Sequence, residues 1–191
     1  MLLKSIRKFK FLIILFLLIL NFPYPQFKAL VIPLLNEKYG ISLLSYLKNA
    51  KKSIYVIMFQ TGYYPGHAES ISNQILRELI NAKKRGLTVE VILDWSKEYK
   101  ELRDKNLKTA KFLAENGVAV YFDSEYKTTH SKLFIIDDKY VFIGSHNLNF
   151  YALEKNNETS VLIDSKEVAN SFLNYFKEVK KECKIFLSPV H

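Results

Sequence analysis

From residue 36 onward, short apolar runs rich in β-branched and aromatic residues alternate with longer stretches in which apolar residues recur every three or four positions. This alternation constrains the fold more than any other feature, because it mixes the two side-chain periods of strand and helix along one chain. Residues 53–59 (SIYVIMF), 87–93 (LTVEVIL) and 118–122 read as strands. Residues 41–51, 69–85 and 106–116 read as helices, the second with Ile71, Ile75, Leu76, Leu79 and Ile80 on one side and Gly86 to stop it. Two apolar runs, 132–136 and 141–143, are so close that they predict a hairpin. Residues 160–163 read as a further strand and 166–182 as a closing amphipathic helix. A hairpin among crossovers implies an α/β fold with a mixed β-sheet flanked by helices on both faces.

The N-terminus obeys a different rule. Lys4, Arg7, Lys8 and Lys10 precede an uninterrupted apolar run at 11–20, and no charge follows until Lys28. A cationic flank before a short apolar core is the pattern of a secretory leader. No small-x-small cleavage site follows, which favours an uncleaved hydrophobic helix, a signal anchor, over a cleaved signal peptide. The basic flank would stay in the cytoplasm. The chain therefore divides into a leader at 1–27 and a globular domain at 28–191. That domain is expected outside the cytoplasm, anchored to the membrane, or secreted or periplasmic if the leader is removed.

Composition narrows the function. The single cysteine, Cys183, excludes an intramolecular disulfide framework and a multi-cysteine zinc site. A chain of 191 residues that is 49% hydrophobic is not a disordered polar segment. The net charge of +9 suits an anionic partner, a nucleic acid or an acidic lipid surface.

The chemistry concentrates in HSKLFIIDDKYVFIGSHNLNFYALEKNNE, residues 130–158. On a strand, His130 and Lys132 point to the same face. If Asp138 and Lys139 form a two-residue turn, Lys132 lies opposite Ser145 and His130 opposite Asn147. An imidazole, an ammonium, a hydroxyl and an amide then converge at one sheet edge, a set suited to a phosphate. A neutral imidazole can attack phosphorus, and Lys132, Ser145 and Asn147 can hold its oxygens. Gly144 allows close backbone approach. Glu158 is a candidate to orient the histidine.

The pattern His-x-Lys, four residues, Asp, six residues, Gly-Ser-x-Asn resembles the signature of the phospholipase D superfamily, with Asn156 and Glu158 where its small members place Asn-x-Glu. SIYVIMF, LTVEVILD, TAKFLAENG and VAVYFDS also resemble the body of its bacterial Nuc-type endonucleases. The resemblance implies a phospholipase D-like fold and cleavage of phosphodiesters with no metal or other cofactor. One histidine would be the nucleophile and a second the general acid. Because the chain carries the pattern once, the resemblance also implies a homodimer sharing its site across a two-fold axis, like Nuc and the Zucchini-type members. The implied site is His130, Lys132, Ser145, Asn147 and Glu158, with Asp137 included in a supporting role.

Other residues are ambiguous from sequence. His146 is either a phosphate donor or an exposed bystander. Gln60 and Thr61 line the groove or belong to a plain loop. Tyr63 and Tyr64 stack on bases or cover the core. Lys83, Lys84 and Arg85 suit a helix C-terminus better than a DNA contact. The expected activity is a nuclease on DNA or RNA. The alternative is a phospholipid or cardiolipin hydrolase at a membrane, and a non-catalytic phosphate-binding module is disfavoured by the intact pattern.

Overall fold

The computed structural model describes residues 26–95 and 97–187. Among them, strands β1 (Leu30–Leu35), β2 (Ser53–Met58), β3 (Thr88–Leu93), β4 (Ala119–Phe122), β5 (Lys132–Ile136), β6 (Tyr140–Gly144), β7 (Thr159–Asp164) and β8 (Lys184–Ile185) form one sheet. Their order is β1-β7-β6-β5-β2-β3-β4-β8. The helices are α1 (Lys38–Asn49), α2 (Ile71–Lys84), α3 (Lys100–Glu115), α4 (Phe150–Glu154) and α5 (Lys166–Lys181). β2, β3 and β4 run parallel, whereas β5, β6, β7 and β1 continue antiparallel from β2. The sheet is mixed, as the alternation predicts.

Alternating side chains divide the core into two layers. Ile54, Val56, Phe134 and Phe142 meet Leu43 and Leu47 of α1, Ile75 and Leu79 of α2 and Leu113 of α3. On the opposite face Ile57, Ile92, Leu133 and Ile135 pack against Ala169 and Phe176 of α5. Helices thus cover both faces. Ser70 and Ser165 cap α2 and α5 by accepting from Asn73 N–H and Val168 N–H. Arg85 donates to the Leu47 carbonyl at the C-terminal end of α1 (3.0 Å), so this cation closes a helix rather than facing a ligand.

Two expectations need correction. The β5–β6 hairpin pairs Leu133 with Ile143 and Ile136 with Tyr140, one residue out of the expected register. Its turn has three residues, not two: Asp137 and Asp138 both take left-handed backbone (φ 56° and 53°), and Lys139 N–H closes onto the Ile136 carbonyl. β1, unread in the sequence, occupies a sheet edge, where the missing N–H of Pro33 costs no inner ladder bond. The apolar segment expected to form a helix lies, over residues 1–25, outside the described residues. Among the described residues, no helix is long and apolar enough to cross a membrane.

This topology determines where the polar pattern emerges. The start of β5 lies beside the end of β2, with Lys132 paired to Met58. β6 ends and β7 begins at that same edge, where Gly144 pairs with Ser160. The residues before β5 and after β6 therefore gather at the carboxyl ends of β2 and β3, where open α/β sheets place their ligands.

Candidate active site

His130 is exposed on the segment leading into β5, and Lys132 is buried at its first residue. The Lys132 ammonium lies 3.1 Å from His130 Nδ1, 3.3 Å from its Nε2 and 2.8 Å from its carbonyl oxygen. An ammonium can only donate, so the ring nitrogen that receives it carries no proton. Burial, then the Lys132 charge, pull His130 below its ordinary value, and the Asp94 carboxylate opposes them. Burial also lowers Lys132, against Glu158 and Asp94. Burial and the neighbouring cation both favour the neutral imidazole, the form a nucleophile needs.

Phe59, just past β2, supports both groups. The His130 ring packs on it at 4.4 Å between centroids, and the Lys132 ammonium sits 4.8 Å above its ring. Asp94 accepts from Thr129 N–H (2.8 Å) and so fixes the approach to His130. Asn106 of α3 joins the ends of β2 and β3. It donates to the carbonyls of Phe59 (2.9 Å) and Asp94 (3.0 Å) and accepts from Thr61 N–H and Oγ1. Phe59, Asp94 and Asn106 are not singled out in the sequence; the only signal is that Phe59 and Asp94 directly follow the carboxyl ends of parallel strands, which Asn106 faces.

Across the edge, Ser145 donates its hydroxyl hydrogen to Glu158 and accepts from Thr159 N–H at 3.0 Å. Asn156 Nδ2 donates to the other Glu158 oxygen at 3.0 Å. Glu158 thus serves Ser145 and Asn156, and not His130, as its hydrogen-bond partners among the described residues. Asn147 is half-buried, with its Oδ1 buried and lacking a partner, an acceptor that an outside donor would satisfy. A Cβ on Gly144 would strike the backbone of Ser160, so only glycine fits there.

Asp137 lies at the far end of β5. Its carboxylate accepts from the N–H groups of Lys51, Lys52 and Ser53 at 2.7–3.2 Å, tying the α1–β2 link to the hairpin turn. The structure therefore brings His130, Lys132, Ser145, Asn147 and Glu158 to one edge and leaves Asp137 away from it. His146 is neither exposed nor a phosphate donor. It is fully buried, stacked on Tyr39 at 4.2 Å. Tyr63 stacks on Phe112 and Tyr64 receives Phe150 N–H, so both tyrosines brace the fold. Thr61 is buried against Asn106, a structural loop position. Burial pushes the Cys183 thiol up to about 11, which leaves it a poor nucleophile.

The chain is similar to known proteins in sequence and fold. The family model described as "Cardiolipin synthase, PLD-like domain" matches residues 43–180. A phospholipase D of Rickettsia typhi is 33% identical over 135 residues, 70% of this chain and 59% of that protein. A mitochondrial cardiolipin hydrolase of Canis lupus familiaris is 28% identical over 58% of this chain and 42% of its own length. The match therefore spans about three fifths or less of these curated relatives. Among solved structures, Nuc of Salmonella typhimurium, a phospholipase D family member, superposes with a TM-score of 0.71 at 25% identity, covering 84% of this chain and all of Nuc.

Proposed function

The chain belongs to the phospholipase D superfamily, and we propose that it is a metal-independent phosphodiesterase, a nuclease acting on DNA or RNA. The observation that carries this reading is the contact of the Lys132 ammonium with the ring nitrogens of His130 on an open sheet edge. His130 attacks the phosphorus of a bound diester, forming an N–P bond as the P–O bond to the leaving group breaks. Lys132 offsets charge on the non-bridging oxygens, and Asn147 offers a further hydrogen bond. The leaving oxygen needs a proton. The chain has one His-x-Lys pattern, so a second copy's His130, in its imidazolium form, supplies that proton across a two-fold axis. That imidazole, now neutral, takes a proton from water, whose oxygen displaces His130 from phosphorus.

Two features favour nucleic acid: the basic balance of the chain and its likeness to Nuc over the whole of Nuc's length. One observation favours a lipid instead. Leu30, Val31, Ile32 and Leu35 of the edge strand β1 are exposed apolar side chains, which suit contact with an apolar phase. In either case the leader at 1–27 would hold the domain at a membrane outside the cytoplasm or direct its export.

The test is one panel of single-stranded DNA, double-stranded DNA, RNA and cardiolipin vesicles, incubated with purified protein in EDTA. The nuclease reading expects nucleic-acid cleavage that survives chelation and disappears in His130→Ala. Hydrolysis of cardiolipin alone would replace it with the lipid reading.

A further inference from the structure

His146 occupies the variable position of the Gly-Ser-x-Asn pattern and touches no group that faces the substrate. Its surroundings are nonetheless specific. Nε2 lies 3.0 Å from the Asn36 carbonyl, which can only accept, so the proton is on Nε2. Nδ1, left as an acceptor, lies 2.7 Å from Ser160 Oγ, which donates to it. The ring is parallel to Tyr39, with 9° between planes. Burial lowers its proton affinity, against the Asn36 carbonyl and the Glu158 charge.

Asn36 is the link to the site. It is a non-glycine residue in left-handed backbone (φ 51°), a conformation that needs outside support. Its Oδ1 accepts from Glu158 N–H at 2.9 Å, and its own N–H donates to the Glu158 carbonyl at 3.0 Å. Both backbone groups of Glu158 are thus clamped by Asn36, and the carbonyl of Asn36 is held by His146 and by Tyr39 N–H (3.2 Å). On its other side, Ser160 faces both the His146 ring and Gly144, the residue before Ser145.

We infer that His146 is a positioning residue: through Asn36 and Ser160 it sets where Glu158 presents its carboxylate and hence where Ser145 stands. This rests on reading that edge as a phosphodiesterase centre. The role is conformational, since the ring nitrogens meet Ser160 and Asn36 and no reacting group. It also explains why an imidazole suits a buried site: one ring supplies a donor and an acceptor in opposite directions while filling the space beside Tyr39.

The test uses the full chain. In wild type, nitrogen-15 NMR of the His146 ring should show the Nε2–H tautomer. His146→Phe keeps an aromatic ring beside Tyr39 but removes both hydrogen bonds. It should speed hydrogen exchange at the Glu158 amide while β5 amides are unchanged, and lower kcat on bis(p-nitrophenyl) phosphate about tenfold per folded molecule with little change in KM. His146→Gln, which can still donate to Asn36, should recover most of that loss. Asn36→Gly keeps the backbone conformation and carbonyl but removes Oδ1; combined with His146→Phe it should cost about as much as the larger single change, as expected for one network. An Nδ1–H tautomer, unchanged Glu158 exchange in His146→Phe, or additive losses would overturn the inference. If wild type cleaves no diester, the reading of the site fails, while the tautomer and exchange results still decide the role of His146.

Discussion

Lys132 Nζ lies 3.1 Å from Nδ1 of His130 and 2.8 Å from that residue's own carbonyl oxygen. The cation is thereby fixed on the proposed nucleophile from within the same strand end. Burial and this charge both disfavour imidazolium. The acid limb of kcat/KM, which reports protonation of the free enzyme's nucleophile, should therefore lie below the ordinary 6.5 of imidazole. Lys132→Met removes the charge and leaves the burial. Its acid limb should move upward, and kcat should fall by about 10²–10³-fold, as for loss of a group stabilising charge in the transition state. A limb that stays in place or moves downward would contradict the assignment.

Asp137 belongs to the His-x-Lys pattern, but its contacts are structural. Its carboxylate gathers three successive backbone N–H groups from the link before β2. Asp137→Gly suits the positive φ and removes only the carboxylate. Denaturant unfolding should show a loss of about 1–3 kcal/mol, the cost of leaving such donors without their acceptor. Activity per folded molecule should stay within about twofold of wild type, roughly the effect of 0.4 kcal/mol. A selective loss of kcat with unchanged stability would return Asp137 to the reacting edge.

Asp123, just past β4, is only 7% exposed and has one oxygen without a hydrogen-bond partner. Burial raises it to about 6, against the hydrogen bonds from Thr129 and from Trp95 N–H, with nearby Asp94 raising it further. The folded state therefore binds this proton more tightly than the unfolded chain. The contribution of Asp123 to stability is full below pH 4 and is lost as pH rises from about 4 to 6. Asp123→Asn keeps an acceptor for Trp95 N–H and removes the charge. It should stabilise the protein at pH 7 by on the order of 2 kcal/mol and leave stability near pH 4 unchanged. Equal effects at both pH values would show that the charge is not the cause.

Much of this was legible because it is local. His130 and Lys132 share a strand end, so a period of two places them together. The mixed sheet follows from the alternation of runs and the short link at 137–139. What was not legible depends on partners distant in sequence. Asn106 looks like an ordinary helix residue until it meets Thr61, 45 positions away. Asn36 acquires its role only through Glu158, 122 positions away. The register slipped by one because two consecutive aspartates adopt left-handed backbone, a choice that their contacts with the β2 segment stabilise and that no turn rule requires. β1 was hidden by Pro33, which a central strand would reject and an edge strand accepts.

The central claim is that the His130 ring forms a bond to phosphorus. The direct measurement is mass spectrometry of protein denatured during turnover of a diester in EDTA, followed by peptide mapping. The account predicts a phosphoryl adduct on the peptide carrying His130, absent in His130→Asn, in no more than one chain of each dimer. Turnover at the wild-type rate in His130→Asn, or an adduct mapped to another residue, would contradict it.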